Sequence, residues 1–276
     1  MSAPQFTLEL LPGAERVLAE HRQELPQKNE LCGAFWVTLG LRAFAGQDLE
    51  QDHVGRAASS LLSKVQTSES LPPGHEGRTD YVLTLPRVDD AEIDSGTSSE
   101  GLRVATAELS GGAFTAVPIS GAWTAANLEA LLESLREMDV ECLAMANSAT
   151  RFLWHSRASA HEVIDYLAFG VDQASPSEWN VGHFIAIVGI LSGPGGCLAV
   201  CADTYPTLGS NGVHLQPLGR VADSLRRDDS PYSGGILVML PTESVAELES
   251  IARLIGLTTD MWDNGTPYRP EFGIDT

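Results

Sequence analysis

Apolar residues recurring every three to four positions predict a first helix over residues 11–24. Leu11, Val17, Leu18 and His21 lie on related faces, Pro12 sits near the start and Pro26 ends it. After Gln27-Lys28-Asn29-Glu30-Leu31-Cys32-Gly33 comes a segment, 34–44, that is apolar nearly all round, so as a helix it must be buried on every side. Helical spacing also predicts helices over 52–63, 98–110, 125–138, 160–169 and 244–255. Thr124 serves as N-cap of the third of these, and Leu128, Leu131, Leu132 and Leu135 form its apolar stripe. Short apolar or β-branched runs predict strands over 114–119, 140–146, 182–191, 197–203 and 236–240. Residues 64–80, the acidic, Ser-rich 89–100 and the turn-rich 261–267 read as loops. Helices crowd the first half and antiparallel strands the second. The expected class is α+β, with a helical N-terminal half and buried central helix packed on a C-terminal antiparallel sheet. No Gly/Ser-rich or Pro-rich linker divides the chain, which reads as a single domain over 1–276.

Chemistry enters where polar residues interrupt these runs. Cys32 immediately precedes the buried helix, where unpaired first-turn N–H groups and the helix dipole favour a thiolate. Gly33 beside it leaves room for a substrate, and Gln27 or Asn29 offers an amide to an oxyanion. The run 182–190 and the run 197–203 flank Ser192-Gly193-Pro194-Gly195-Gly196 and read as a hairpin; centred near Gly193, it sets His183 directly opposite Asp203. An aspartate there accepts from one imidazole nitrogen and leaves the other as a base. Gly182 adjoins His183, and Trp179, four residues earlier, is placed to line a cleft. The same hairpin face carries Cys197 and Cys201 as alternative zinc ligands beside His183 and Asp203, but four residues along a strand is roughly 13 Å, too far to share one ion. No metal and no other cofactor is expected. Trp36, Trp123 and Trp154 read as packing, His155 and His161 as surface or packing residues. Asn147, Ser148 and Arg151 read as a turn or a cleft edge, and Arg226-Arg227-Asp228-Asp229 as a solvated helix end.

These pieces resemble the papain-like cysteine peptidases, nearest the bacteriocin-leader peptidases and phytochelatin synthases. The resemblance rests on Gln27…Cys32-Gly33, Gly182-His183-Phe184 and Asp203-Thr204-Tyr205-Pro206, with the strand from Gly234 closing the fold. It implies a papain-like fold in which Cys32 attacks a carbonyl, His183 relays the proton, Asp203 holds His183 and Gln27 contributes to the oxyanion hole. The spacing from Gln27 to Cys32 is one residue shorter than in those families, and Ala34 stands where the leader peptidases have proline. A catalytically silent relative that keeps the fold as a binding protein is the alternative.

Charge narrows the partners. With 37 acidic and 17 basic residues the net charge is -20, which repels phosphate backbones and anionic lipid and draws basic peptides. The expected substrate is a peptide or peptide-like molecule, with neither nucleic acid nor membrane as partner; the oligomeric state is unreadable. A start without a basic, apolar leader, no membrane-length apolar run, and four scattered cysteines together imply a reducing, cytoplasmic setting.

Overall fold

In a computed structural model, residues 5–65, 70–89, 95–228 and 231–272 are described. The chain runs β1 (Thr7–Leu10), α1 (Ala14–Glu24), α2 (Cys32–Ala45), α3 (Gln51–Ala57), β2 (Leu62–Ser63), β3 (Arg87–Val88), α4 (Ser99–Leu109), β4 (Phe114–Ile119), α5 (Ala125–Glu137) and β5 (Leu143–Ala149). It continues through α6 (Ala160–Phe169), β6 (Gly182–Gly193), β7 (Gly196–Ala202), β8 (Val213–Pro217), α7 (Leu218–Arg226), β9 (Ile236–Pro241) and α8 (Val245–Leu254). The class is α+β. One antiparallel sheet has the order β4-β9-β5-β6-β7-β8, and β1 joins β6 on the edge that β5 leaves free. Among the described residues no helix is long and apolar enough to cross a membrane.

Helices and strands are less segregated than their sequence patterns suggest. β1 and β4 come from the first half, and α6, α7 and α8 from the second. The short β1 escapes a periodicity reading because both its faces are largely exposed or half-buried. The helix expected over 52–63 stops at Ala57, since Ser59 takes a left-handed backbone (φ 54°) and the chain leaves to pair Leu62 with Arg87. The strand expected at 140–146 runs three residues later, so Asn147 and Ser148 lie in β5 rather than in a turn. β8 and α7 were not anticipated. Of the acidic loop expected at 89–100, residues 90–94 lie outside the described residues, as do 66–69 of the loop at 64–80.

α2 is buried as its composition requires: every residue from Gly33 to Leu41 is inaccessible to solvent. Two glycines let it press on its neighbours. A β-carbon on Gly33 would lie 2.5 Å from Leu102 Cδ1 and 3.1 Å from Phe184 Cδ2, and one on Gly40 2.6 Å from Met239 Sδ. Trp36 Nε1 donates to the Phe184 carbonyl at 3.0 Å, pinning the helix to β6 one residue from His183. Each fully buried large apolar side chain on α2 contributes about 1.5–3 kcal/mol.

The β6–β7 hairpin forms, but not in the expected register. Gly193 pairs with Gly196, so the turn is Pro194-Gly195, and a bulge at Val188 shifts the pairing so that Ile187 faces Cys201 and Ala186 faces Ala202. Continuing that ladder would set His183 opposite Tyr205. Asp203 has left the ladder, donating its N–H to the Gly212 carbonyl at 2.6 Å. The bulge is still what makes the pair possible. Without it, alternation would put His183 and Asp203 on opposite faces of the sheet; one extra residue in β6 returns them to the same face.

Candidate active site

Cys32 opens α2 at the end of a tightly held segment. Gln27 N–H donates to the Thr204 carbonyl (3.0 Å) and Lys28 N–H to Gln51 Oε1 (2.7 Å). The Lys28 ammonium, fully buried, donates to Asp52 Oδ1 at 2.6 Å and to Glu50 Oε2 at 3.2 Å. Asn29 is clamped through its main chain by Arg78 and Tyr81, and its side-chain oxygen accepts from Arg78 N–H at 3.0 Å. Glu30 holds a left-handed backbone (φ 62°) and accepts from Ser63 N–H at 2.6 Å. Such a conformation costs a non-glycine residue of order 1–3 kcal/mol, and these bonds hold it in place.

Across the cleft stands His183, on β6 opposite Ser148 of β5. Its Nε2 faces Asp203 Oδ1 at 3.0 Å, and Asp203 Oδ1 also accepts from Thr204 N–H at 2.7 Å. Asp203 Oδ2 is 3.5 Å from His214 Nε2, while Gln216 Nε2 donates to His214 Nδ1 at 3.0 Å. Gln216 therefore fixes the tautomer of His214 with its Nε2 proton toward the carboxylate. Behind Asp203, His21 Nε2 donates to its carbonyl at 2.6 Å, and His21 stacks on Trp36 of α2 (5.4 Å between centroids). Trp179 and Tyr205 wall the imidazole, with ring centroids 4.8 Å and 6.1 Å from it.

Charge in the cluster is strongly redistributed. Burial pushes the Cys32 thiol up, yet a hydrogen bond and the charge of His183, with backbone amides of Phe184 and Gly33, bring it below its ordinary 9.0. Burial lowers His183, but the Asp203 carboxylate and the Cys32 sulfur raise it to about 10. Burial raises Asp203, and His183 and then His214 hold it well below the carboxylate range. The opposite holds for the other cysteines. Burial pushes Cys142 up to about 12 and raises Cys201, and burial with Glu129 raises Cys197.

Of the residues singled out from sequence, Gln27, Asn29, Cys32, Trp179, Gly182 and His183 line one cleft of about 530 Å³. Asp203 lies behind the imidazole. Gly33 is turned from the cleft toward Leu102 and Phe184, so its missing side chain serves helix packing rather than substrate approach. Gln27 Oε1 accepts from Thr204 Oγ1 at 2.5 Å, which leaves its amide nitrogen free of that bond. Cys197 is not beside His183; its thiol donates to Glu129 Oε1 at 2.9 Å. Among the described residues no three His, Cys, Asp or Glu side chains converge as metal ligands.

Thr204 and Tyr205 entered the sequence reading only as part of a motif, without a role, and His214 and Arg227 were given none at the site. His214 and Gln216 had a legible signal, two polar residues at alternate positions of a short run next to the aspartate strand. Arg227 did not. It caps α7 with a left-handed backbone (φ 50°), is 5% exposed rather than solvated, and lines the cleft with Arg151.

A family of unknown function (DUF6885) matches residues 11–263. No curated protein matches the sequence.

Proposed function

We propose, for a chain that belongs to this family of unknown function, a cysteine-dependent amide hydrolase or acyl transferase of papain-like type that acts on a peptide-like substrate. The observation that carries the reading is that Cys32 and His183 line one cleft and shift each other's ionisation, while His183 Nε2 is 3.0 Å from the buried Asp203 carboxylate. In this mechanism the Cys32 thiolate attacks the substrate carbonyl carbon. First-turn amides of α2 and the Gln27 amide nitrogen stabilise the developing oxyanion. His183 gives its Nδ1 proton to the leaving amine, and the C–N bond breaks to leave an acyl-thioester on Cys32. Asp203 holds the imidazole through Nε2 and stabilises its cationic form. Water or a second nucleophile, deprotonated by His183, then releases the acyl group. No step needs a metal or cofactor. Four free cysteines fit a reducing, cytoplasmic setting.

Nitrophenyl acetate tests the reading, because an activated thiol accepts its acyl group without regard to the natural leaving group. Release of nitrophenolate with an acetyl adduct mapped to Cys32 is expected, and Cys32→Ala should lose both while keeping its circular dichroism. Undiminished turnover by folded Cys32→Ala removes the assignment.

A further inference from the structure

Among the described residues no carboxylate neutralises Arg227. Its Nη2 donates to the carbonyl and to the side-chain oxygen of Asn147, both neutral, and its Nε is buried without a partner. Among the described residues it makes no ion pair with a carboxylate, and the like charge of Arg151, which lines the same cleft, acts against it. Burying an ion unpaired is unfavourable, so an arginine kept in this state at a functional cleft calls for an anion that arrives from outside. Its place is definite. A β-carbon built on Gly182 would lie 3.5 Å from both Nη1 and Nη2, so the guanidinium rests against the residue next to His183. Asn147, which orients it, faces Phe184 across the β5–β6 ladder, one pair from His183 and Ser148. Asn147 takes both bonds from Nη2 and Nε is closed to solvent, so Nη1 is left to meet a carboxylate from the cleft through a charge-assisted hydrogen bond.

We propose that Arg227 is the anchor for a carboxylate of the substrate, so that the scissile acyl group belongs to a peptide-like molecule with a free carboxylate near the bond attacked. This rests on the cysteine-dependent reading of the same cleft and narrows its substrate class. It also reverses the preference that net charge alone suggests. The acidic surface acts at long range and is screened beyond about 8–10 Å in physiological salt, whereas Arg227 acts at contact inside the cleft. A substrate of low overall charge that carries one carboxylate satisfies both.

The test uses alkylating reagents that differ only in a carboxylate. Iodoacetate is compared with iodoacetamide, and N-iodoacetylglycine with its glycinamide, in the intact protein, and modification of each cysteine is followed by peptide mass spectrometry. The ratio of acid to amide rates at Cys32 reads the anchor whatever the absolute rate. The amide rate at Cys32 relative to Cys142, Cys197 and Cys201 reads the thiolate. We expect the acid-to-amide ratio of at least one pair to fall about tenfold in Arg227→Met, the size of one charge-assisted hydrogen bond, and to be largely kept in Arg227→Lys. His183 is unchanged in both variants, so its charge cancels in the comparison. Should Arg227→Met not fold, protection of wild-type Cys32 from iodoacetamide by N-acetylglycine but not by N-acetylglycinamide supports the anchor, and equal protection or none overturns it. Equal ratios in wild type and folded Arg227→Met overturn it as well, even where fast amide labelling upholds the thiolate. Slow amide labelling of Cys32 instead counts against the cysteine reading alone.

Discussion

His183 shows how much one residue's setting decides. Alone it is a histidine on an apolar strand; between the sulfur of Cys32 and the carboxylate of Asp203 it is held cationic to about pH 10. Two consequences follow at this scale. Asp203→Asn removes the charge that stabilises the imidazolium and frees the ring to adopt the wrong tautomer. Acylation of Cys32 by nitrophenyl acetate should therefore slow by about 10²-fold or more, the usual worth of a positioned acid–base group; a loss under threefold would contradict the role. The second concerns stability. The His183 pKa is raised on folding, so its contribution is complete below the ordinary 6.5 and is lost as pH climbs toward about 10. Asp203 is depressed, so its contribution is present above 3.8 and fades as pH falls below that. Measured by denaturant unfolding in a Cys32→Ala background, where no thiolate forms to offset the imidazole proton, the stability advantage of His183 over His183→Gln should shrink as pH rises above 6.5; a constant difference would show that His183 and Asp203 do not titrate as described. Cys32, His183 and Asp203 were readable because each stands at an end of an apolar run. Arg227 was not, because an Arg-Arg-Asp-Asp string reads as surface until the left-handed cap of α7 turns Arg227 inward.

At the scale of elements, the site depends on a stiff segment before α2 and on a bulged strand. The segment is held by a buried charge pair, Lys28 with Asp52, whose side chains are 1% and 0% exposed. Lys28→Met leaves the Asp52 carboxylate buried without its cation and should cost about 3–5 kcal/mol in denaturant unfolding. Lys28→Met/Asp52→Leu should recover part of that loss, though not all, because Asp52 also accepts from Leu83 N–H. A cost under 1 kcal/mol for the single change would mean that the pair is not what fixes the segment. Periodicity located α1, α2, α5 and α6 to within a few residues because their apolar stripes are long. It placed the hairpin but not its register. Neither the Pro194-Gly195 turn nor the bulge at Val188 is written in the apolar string; the bulge falls between the stretch of β6 that pairs β5 and the stretch that pairs β1. That His183 and Asp203 still meet is a consequence of face alternation, which tolerates a shift of two residues but not of one.

For the whole molecule, charge is the dominant sequence-level fact. A net -20 spread over 276 residues destabilises the compact state by self-repulsion. Raising salt from about 10 mM to about 150 mM shortens the screening length from about 30 Å to about 8 Å and should raise the thermal unfolding midpoint. An unchanged or lower midpoint would show that paired surface charges already offset the imbalance. The α+β class was legible because helical and strand periods differ. The mixing of early strands into the main sheet was not, since strand order follows from long-range pairing that no local pattern records.

The account turns on Cys32 being a thiolate because His183 is its partner. Following iodoacetamide alkylation of Cys32 by peptide mass spectrometry across pH, in wild type and in His183→Ala, measures this directly. Wild-type reactivity should persist below pH 9.0, the ordinary thiol value, and His183→Ala should move the transition up toward or past it. A Cys32 that titrates at or above that value in both proteins would contradict it.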